Sequence, residues 1–175
     1  MILPQIVHAW SPEPQALHGA LSRSLERQVL ELARAAGIQA LAVPEPDAPT
    51  NLPMLRARAE RFPGGILVPV SAAHSERTVW SRPAANWLFR AWHDSIHLDL
   101  DAPFDPFGEW DVSIESCKRI QGAAEREVLR AEVWGQVSYY ELWGVFPAPQ
   151  RAFVVACVRD GIEETVFRGR FGRVD

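Results

Sequence analysis

The sequence predicts an α+β protein, mainly α, with a small N-terminal strand-helix-strand module followed by a bundle of about four helices. Three observations carry that expectation. Short apolar runs alternate with amphipathic segments in the first part of the chain. From Pro83 onward, apolar residues recur at three- and four-residue spacing. The composition is that of a globular protein: 47% hydrophobic and 23% charged, with seven Trp and eight Phe to build a core.

One domain is expected over the 175 residues. Within it, residues 1–72 form the α/β part, 83–160 the helical bundle and 161–175 an Arg/Gly-rich tail. Residues 2–7 read as a short strand. Residues 14–36 read as an amphipathic helix, because Leu17, Leu21, Leu25, Val29, Leu32 and Ala36 share one face, and Gly37 ends it. Residues 38–43 form a second strand, and the four Pro of residues 44–53 demand a loop. A brief helix is expected over residues 54–61. Pro63-Gly64-Gly65 breaks the chain, and residues 66–70 are a third strand. That order suggests a small parallel sheet.

Pro83 suits the first turn of a helix, where its missing N–H costs nothing. The helix should run to about Leu98 and be followed by an acidic loop over residues 99–106. The next helix spans residues 107–121, with Trp110, Ile114 and Cys117 on one face. Residues 124–143 follow, with Leu129, Val133, Gln136, Val137 and Tyr140 on one side, and Gly144 stops them. Trp134, Tyr139, Tyr140 and Trp143 read as bundle core or a pocket rim. A last helix starts at Pro147 or Pro149 and ends near Arg159. The tail beyond it, with Arg168, Arg170 and Arg173, is expected to be solvated and its apolar residues to dock only in part.

Charge and cysteine content narrow the function. The net charge is −4, so no basic face advertises a nucleic-acid partner. Lys118 is the only Lys; every other basic residue is Arg. Cys117 and Cys157 lie in apolar runs and read as free buried thiols of a reducing compartment. No apolar stretch approaches ~18 residues, so no membrane span is expected. The expected location is the cytoplasm. No GxSxG, GxGxxG or Walker pattern is present, and no CxxC.

The chemistry concentrates in His93-Asp94-Ser95-Ile96-His97. Residues four apart share a helix face, with Cβ atoms roughly 5–6 Å apart. Two imidazoles at that spacing can share one tetrahedral ion. Residues 91–117 contain no Lys or Arg but hold Asp94, Asp99, Asp101, Asp105, Glu109, Asp111 and Glu115. A divalent metal ion is therefore expected on His93 and His97, as zinc, manganese or iron. Glu109 or Glu115 of the following helix would complete its shell. Asp94 would orient an imidazole or act as general base. Glu132 and Gln136, four apart, read first as a polar helix face and second as a patch toward the same interior.

The string His-Asp-x-x-His resembles two known patterns. In zincin-like sites an acid follows the first His as general base, but that acid is Glu, and Asp94 is one methylene shorter. In HD-type phosphohydrolases the adjacent His-Asp pair ligates metal directly. That resemblance implies an upstream His, for which His74 is the candidate, and a downstream Asp, Asp111 or Asp160. A ferritin-like dinuclear site is excluded, because no Glu stands three residues before either His. The order Trp92-His93-Asp94, Gly135-Gln136, Tyr139-Tyr140, Phe146-Pro147, Gln150-Arg151 and Phe153 also resembles a group of small proteins from proteobacteria and their phages or mobile elements. That group implies no particular activity.

The expected function is thus a metal-dependent hydrolase acting on a small-molecule or protein substrate. The alternative is a non-catalytic accessory protein of a phage or mobile element that works through protein-protein binding.

Overall fold

The structure, a computed structural model, describes residues 14–171, with side chains from residue 19 onward. The expected strand over residues 2–7 lies outside the described residues. Helix α1 (Pro14–Ala35) buries Leu25, Val29 and Ala33. Gly37, in a left-handed turn at φ 65°, ends it and leads into β1 (Ile38–Val43). The Pro-rich loop contains a single 3-10 turn over Glu45–Asp47. Helix α2 (Leu52–Arg58) starts earlier than expected because Asn51 caps it, its side chain accepting from Met54 N at 2.9 Å.

The sheet is mixed, which corrects the all-parallel expectation. Its order is β1-β3-β2, with β3 (Gly65–Ser71) parallel to β1 and antiparallel to β2 (Glu60–Phe62). Strand β2 was expected as the end of a helix. Pro63-Gly64 makes a two-residue turn between Phe62 and Gly65, with Gly64 at φ 86°, and this folds the chain back as a hairpin. The central strand carries Val68 and Val70 into the core.

The remaining helices are α3 (Pro83–Leu100), α4 (Pro106–Arg119), α5 (Ala123–Arg130), α6 (Gln136–Trp143), α7 (Gln150–Asp160) and α8 (Ile162–Arg168). Between α5 and α6 the chain does not break. It runs through a π turn over Ala131–Gly135. Bonding from i to i+5 changes the phase of every side chain beyond it. Tyr139 is buried there and Tyr140 is 43% exposed, stacked on Phe146.

On α4 the expected face of Trp110, Ile114 and Cys117 forms, but it lies at the surface: only Cys117 is buried, and Trp110 and Ile114 are 42% and 40% exposed. The inward face instead carries Gly108, Val112, Ser113 and Ser116, small residues that admit a close neighbour. The tail is not wholly solvated. Helix α8 buries Thr165 and Val166, and Phe171 packs edge-on to Tyr139 and Phe153. Arg168 pairs with Glu164 and Asp160 rather than standing free.

Buried apolar residues of the sheet, α1 and the C-terminal helices form one connected cluster. Helix α3 runs through it, touching β1, β3, α1, α2 and α4. Cys117 and Cys157 are free and buried. Burial pushes the Cys157 thiol up to about 12. Among the described residues no helix is long and apolar enough to cross a membrane.

Candidate metal centre

Helix α3 holds the site because its stripe of rings faces the core. Phe89, His93 and His97 repeat at four-residue spacing, so they stack along one side of the helix. The rings form a column. Trp80 lies on Phe89 with centroids 4.4 Å apart, and Phe89 is 6.1 Å from His93. His93 is 4.7 Å from His97, which meets the edge of Phe104 at 4.6 Å. The two imidazoles thus lie between aromatic walls.

The end of α3 sets the orientation of His97. Asp101 adopts the left-handed conformation, which Asp tolerates better than most side chains, and turns the chain back. Ala102 then meets His97 twice: its N–H donates to His97 O at 3.0 Å, and its carbonyl lies 3.0 Å from His97 Nδ1. A carbonyl only accepts, so His97 Nδ1 carries the hydrogen. That leaves Nε2 as the nitrogen turned toward His93 and Glu109. Such a hydrogen bond is the usual support of a metal-ligating imidazole.

The turn also positions Glu109. Asp105 caps α4, accepting from Phe107 N at 3.0 Å and Gly108 N at 2.9 Å, and Pro106 fits the first turn. Gly108 lies against the Pro103 backbone, where a Cβ would overlap the carbonyl oxygen. This close approach brings the next residue, Glu109, back over α3.

Three side chains converge. His93 Nε2 and His97 Nε2 are 3.1 Å apart. Glu109 Oε2 is 3.3 Å from His93 Nε2, and Oε1 is 3.4 Å from His97 Nε2. In a tetrahedral site with ligands at ~2.0–2.1 Å, neighbouring donor atoms stand roughly 3.3–3.4 Å apart. The separation of the two imidazole nitrogens and that of each from its nearer Glu109 oxygen are close to that value, and one ligand atom from each residue lies within 4.8 Å of the others. Among the described residues, His93, His97 and Glu109 are the group able to hold a metal ion. His97 is fully buried, while the His93 and Glu109 side chains keep 14% and 15% of their exposure.

Electrostatics match this arrangement. Burial opposes ionisation of Glu109, but the facing His93 and His97 outweigh it and hold the carboxyl at about 2. Burial also opposes charge on His93, yet Glu109 and then Asp94 outweigh it and raise its pKa. For Asp94 burial wins over the two imidazoles and lifts the carboxyl to about 6. His93 Nδ1 is buried with no hydrogen-bond partner, unlike its counterpart in His97.

The other expected site residues are placed elsewhere. Glu115 does not join the triangle. Its carboxylate pairs with Lys118 at 3.2 Å and Arg119 at 3.3 Å on its own helix. Six residues beyond Glu109 is more than a turn and a half of helix, so the two acids face different ways. Asp94 is half-buried beside His93 but is not part of the ligand group, since adjacent helix residues diverge.

The ligand set implied by the HD-type resemblance is not assembled. His74 is exposed, 3.9 Å from Glu45; Asp111 is exposed; Asp160 is bound by Arg159 and Arg168. No protein-family model, curated protein or solved structure matches the chain.

The polar pair on the π turn is not a solvated face. Glu132 and Gln136 are both buried, and Gln136 Nε2 donates to Glu132 Oε2 at 2.8 Å. Trp80 Nε1 donates to Glu132 Oε1 at 3.2 Å. Burial pushes the Glu132 carboxyl up to about 7, against the pull of Trp80 and Arg90. Sequence reasoning missed Trp80, Phe104 and the Ala102 carbonyl. Only the four-residue spacing of Phe89 with the two His hinted at a continued column.

Proposed function

We propose that this chain is a metal-dependent hydrolase holding one divalent ion on His93, His97 and Glu109. The observation that carries the reading is the convergence of the two Nε2 atoms, 3.1 Å apart, on the Glu109 carboxylate, whose two oxygens lie 3.3 Å from His93 and 3.4 Å from His97. Three protein ligands with a remaining position for water distinguish catalytic from structural zinc sites. A bound ion supplies Lewis acidity and brings the pKa of a coordinated water near 7. His97 holds its lone pair in place through Ala102, and Glu109 supplies the anionic ligand. In this reading Asp94, half-buried next to His93 and outside the ligand group, is the general base.

The surrounding charges favour a carbonyl over a phosphoryl substrate. A phosphoryl group calls for free cationic donors. The α3 cation, Arg90, is already committed: one guanidinium nitrogen donates to Ser71 O at 2.7 Å and Ala73 O at 3.0 Å. Glu132 and Asp94 both act on its charge.

The test is an assay of zinc- and manganese-loaded protein on p-nitrophenyl acetate and bis(p-nitrophenyl) phosphate. Ester hydrolysis that is lost on chelation and in Glu109→Gln supports the reading. Metal-loaded protein with no turnover of either substrate class above buffer counts against it.

A second reading, a non-catalytic binding protein, is favoured by exposed apolar side chains. Phe107 is 83% exposed, and Trp110, Tyr140, Leu142, Trp143 and Phe146 are 42–52% exposed. Apolar surface of this kind marks interaction sites when it is contiguous.

A further inference from the structure

The two imidazoles of the triangle are braced differently, and the difference assigns a role to a residue outside it. His97 is held by a hydrogen bond from Nδ1 to Ala102 O. His93 has no such bond; its Nδ1 is buried and unpartnered. Its polar contacts, to His97 and Glu109, are all at Nε2, so packing supplies the support that the ring lacks at its other nitrogen. On the side away from His97 its aromatic neighbour is Phe89, tilted 37° to it. Phe89 is in turn covered by Trp80, nearly parallel at 24°. Trp80, Phe89 and Glu132 are all buried.

An indole face alone does not fix rotation in its own plane; its N–H does. Trp80 Nε1–H ends on Glu132 Oε1, and the other oxygen of Glu132 is held by Gln136. Glu132 and Gln136 stand at and just beyond the π turn, an irregularity enriched at functional positions. The chain of contacts runs Gln136, Glu132, Trp80, Phe89, His93. It replaces, for His93, the single carbonyl that serves His97.

We infer that Glu132 is a positioning residue for the metal centre, acting through Trp80 and Phe89 on the orientation of the His93 imidazole. The inference rests on the proposed metal site for its consequence, but the bracing itself is a property of the metal-free protein. Two readouts separate the two. The first is the histidine-ring ¹H–¹⁵N spectrum of metal-free protein. The second is the binding isotherm and d–d spectrum with Co²⁺.

Glu132→Leu removes the acceptor and is expected to shift the His93 ring signals while leaving those of His97 in place. It should weaken Co²⁺ binding by about tenfold, the lower end for loss of an outer support, and change the d–d bands. Glu132→Gln keeps an oxygen for Trp80 and should restore both. Trp80→Phe, which keeps a ring but deletes the N–H, should act in the same direction and decides the matter if Glu132→Leu does not fold. Wild-type His93 signals in folded Glu132→Leu, or in Trp80→Phe, overturn the inference. Wild-type protein that ignores Co²⁺ while Glu132→Leu still displaces His93 upholds the bracing and removes the metal reading instead.

Discussion

Two buried polar groups sit in the helical half of this protein, and they differ in how donors match acceptors. Around Glu132 the account balances: Trp80 Nε1 donates to one carboxylate oxygen and Gln136 Nε2 to the other. Around His93, His97 and Glu109 it does not: His93 Nδ1 is buried with no partner, while both Nε2 atoms crowd each other and the Glu109 carboxylate. His97 alone has its Nδ1 matched, by Ala102 O. A satisfied buried network rigidifies a core. Ligand-type side chains that converge without that balance form a group that could hold a metal ion.

Substitutions that remove each group sharpen that contrast. The largest effect is expected at the triangle. His97→Ala empties a fully buried position and should cost about 2–5 kcal/mol in the metal-free protein, read by urea unfolding. The double variant His93→Ala, His97→Ala should retain no zinc by elemental analysis, where wild type retains about one equivalent. Equal zinc in both would break the comparison.

Next in size is Gly108→Ala. The added Cβ meets the Pro103 carbonyl, which is backbone and cannot swing aside. A loss of about 1–3 kcal/mol is expected, with weaker zinc binding because Glu109 follows directly. A variant as stable as wild type would show that the loop yields.

The Glu132 network is tested by pH. Its folded pKa is raised from 4.5 to about 7, so the folded state holds the proton more tightly than the unfolded chain. The stability from that proton is fully present below about 4.5 and lost as pH rises through about 7. Glu132→Gln, neutral throughout, should match wild type near pH 4. At pH 8 it should exceed wild type by on the order of 1–3 kcal/mol. Unfolding curves at the two pH values decide it; a constant difference contradicts the assignment.

The smallest effect belongs to Glu115. Its ion pairs with Lys118 and Arg119 lie on the helix surface. Surface pairs of this kind contribute ~0–1 kcal/mol, so Glu115→Gln should change stability little and zinc affinity not at all. A tenfold loss of zinc binding would place Glu115 at the ion after all.

Much of this arrangement was legible in the sequence. The periodic helices, the parallel pairing of β1 with β3 and the His93–His97 pair followed from apolar spacing and the i, i+4 rule. Glu109 and Glu115 were indistinguishable there, because both are acids on one helix. Which of them faces His93 depends on where α4 begins, and that depends on Gly108 seating against Pro103. The bland reading of Glu132 and Gln136 failed for a similar reason. Their burial comes from a π turn and from Trp80, a residue 52 positions away, and neither leaves a periodic trace. Apolar spacing put Trp110 and Ile114 on one face with Cys117, but it did not show that the small residues beside them form the packed face.

The central claim is that His93, His97 and Glu109 bind one ion together. X-ray absorption on protein loaded with one equivalent of zinc tests it most directly. The expected first shell holds two imidazole nitrogens and oxygen donors at ~2.0–2.1 Å, and Glu109→Gln alters that shell. A zinc edge with a shell of oxygens alone, unchanged in His93→Ala and Glu109→Gln, would contradict it.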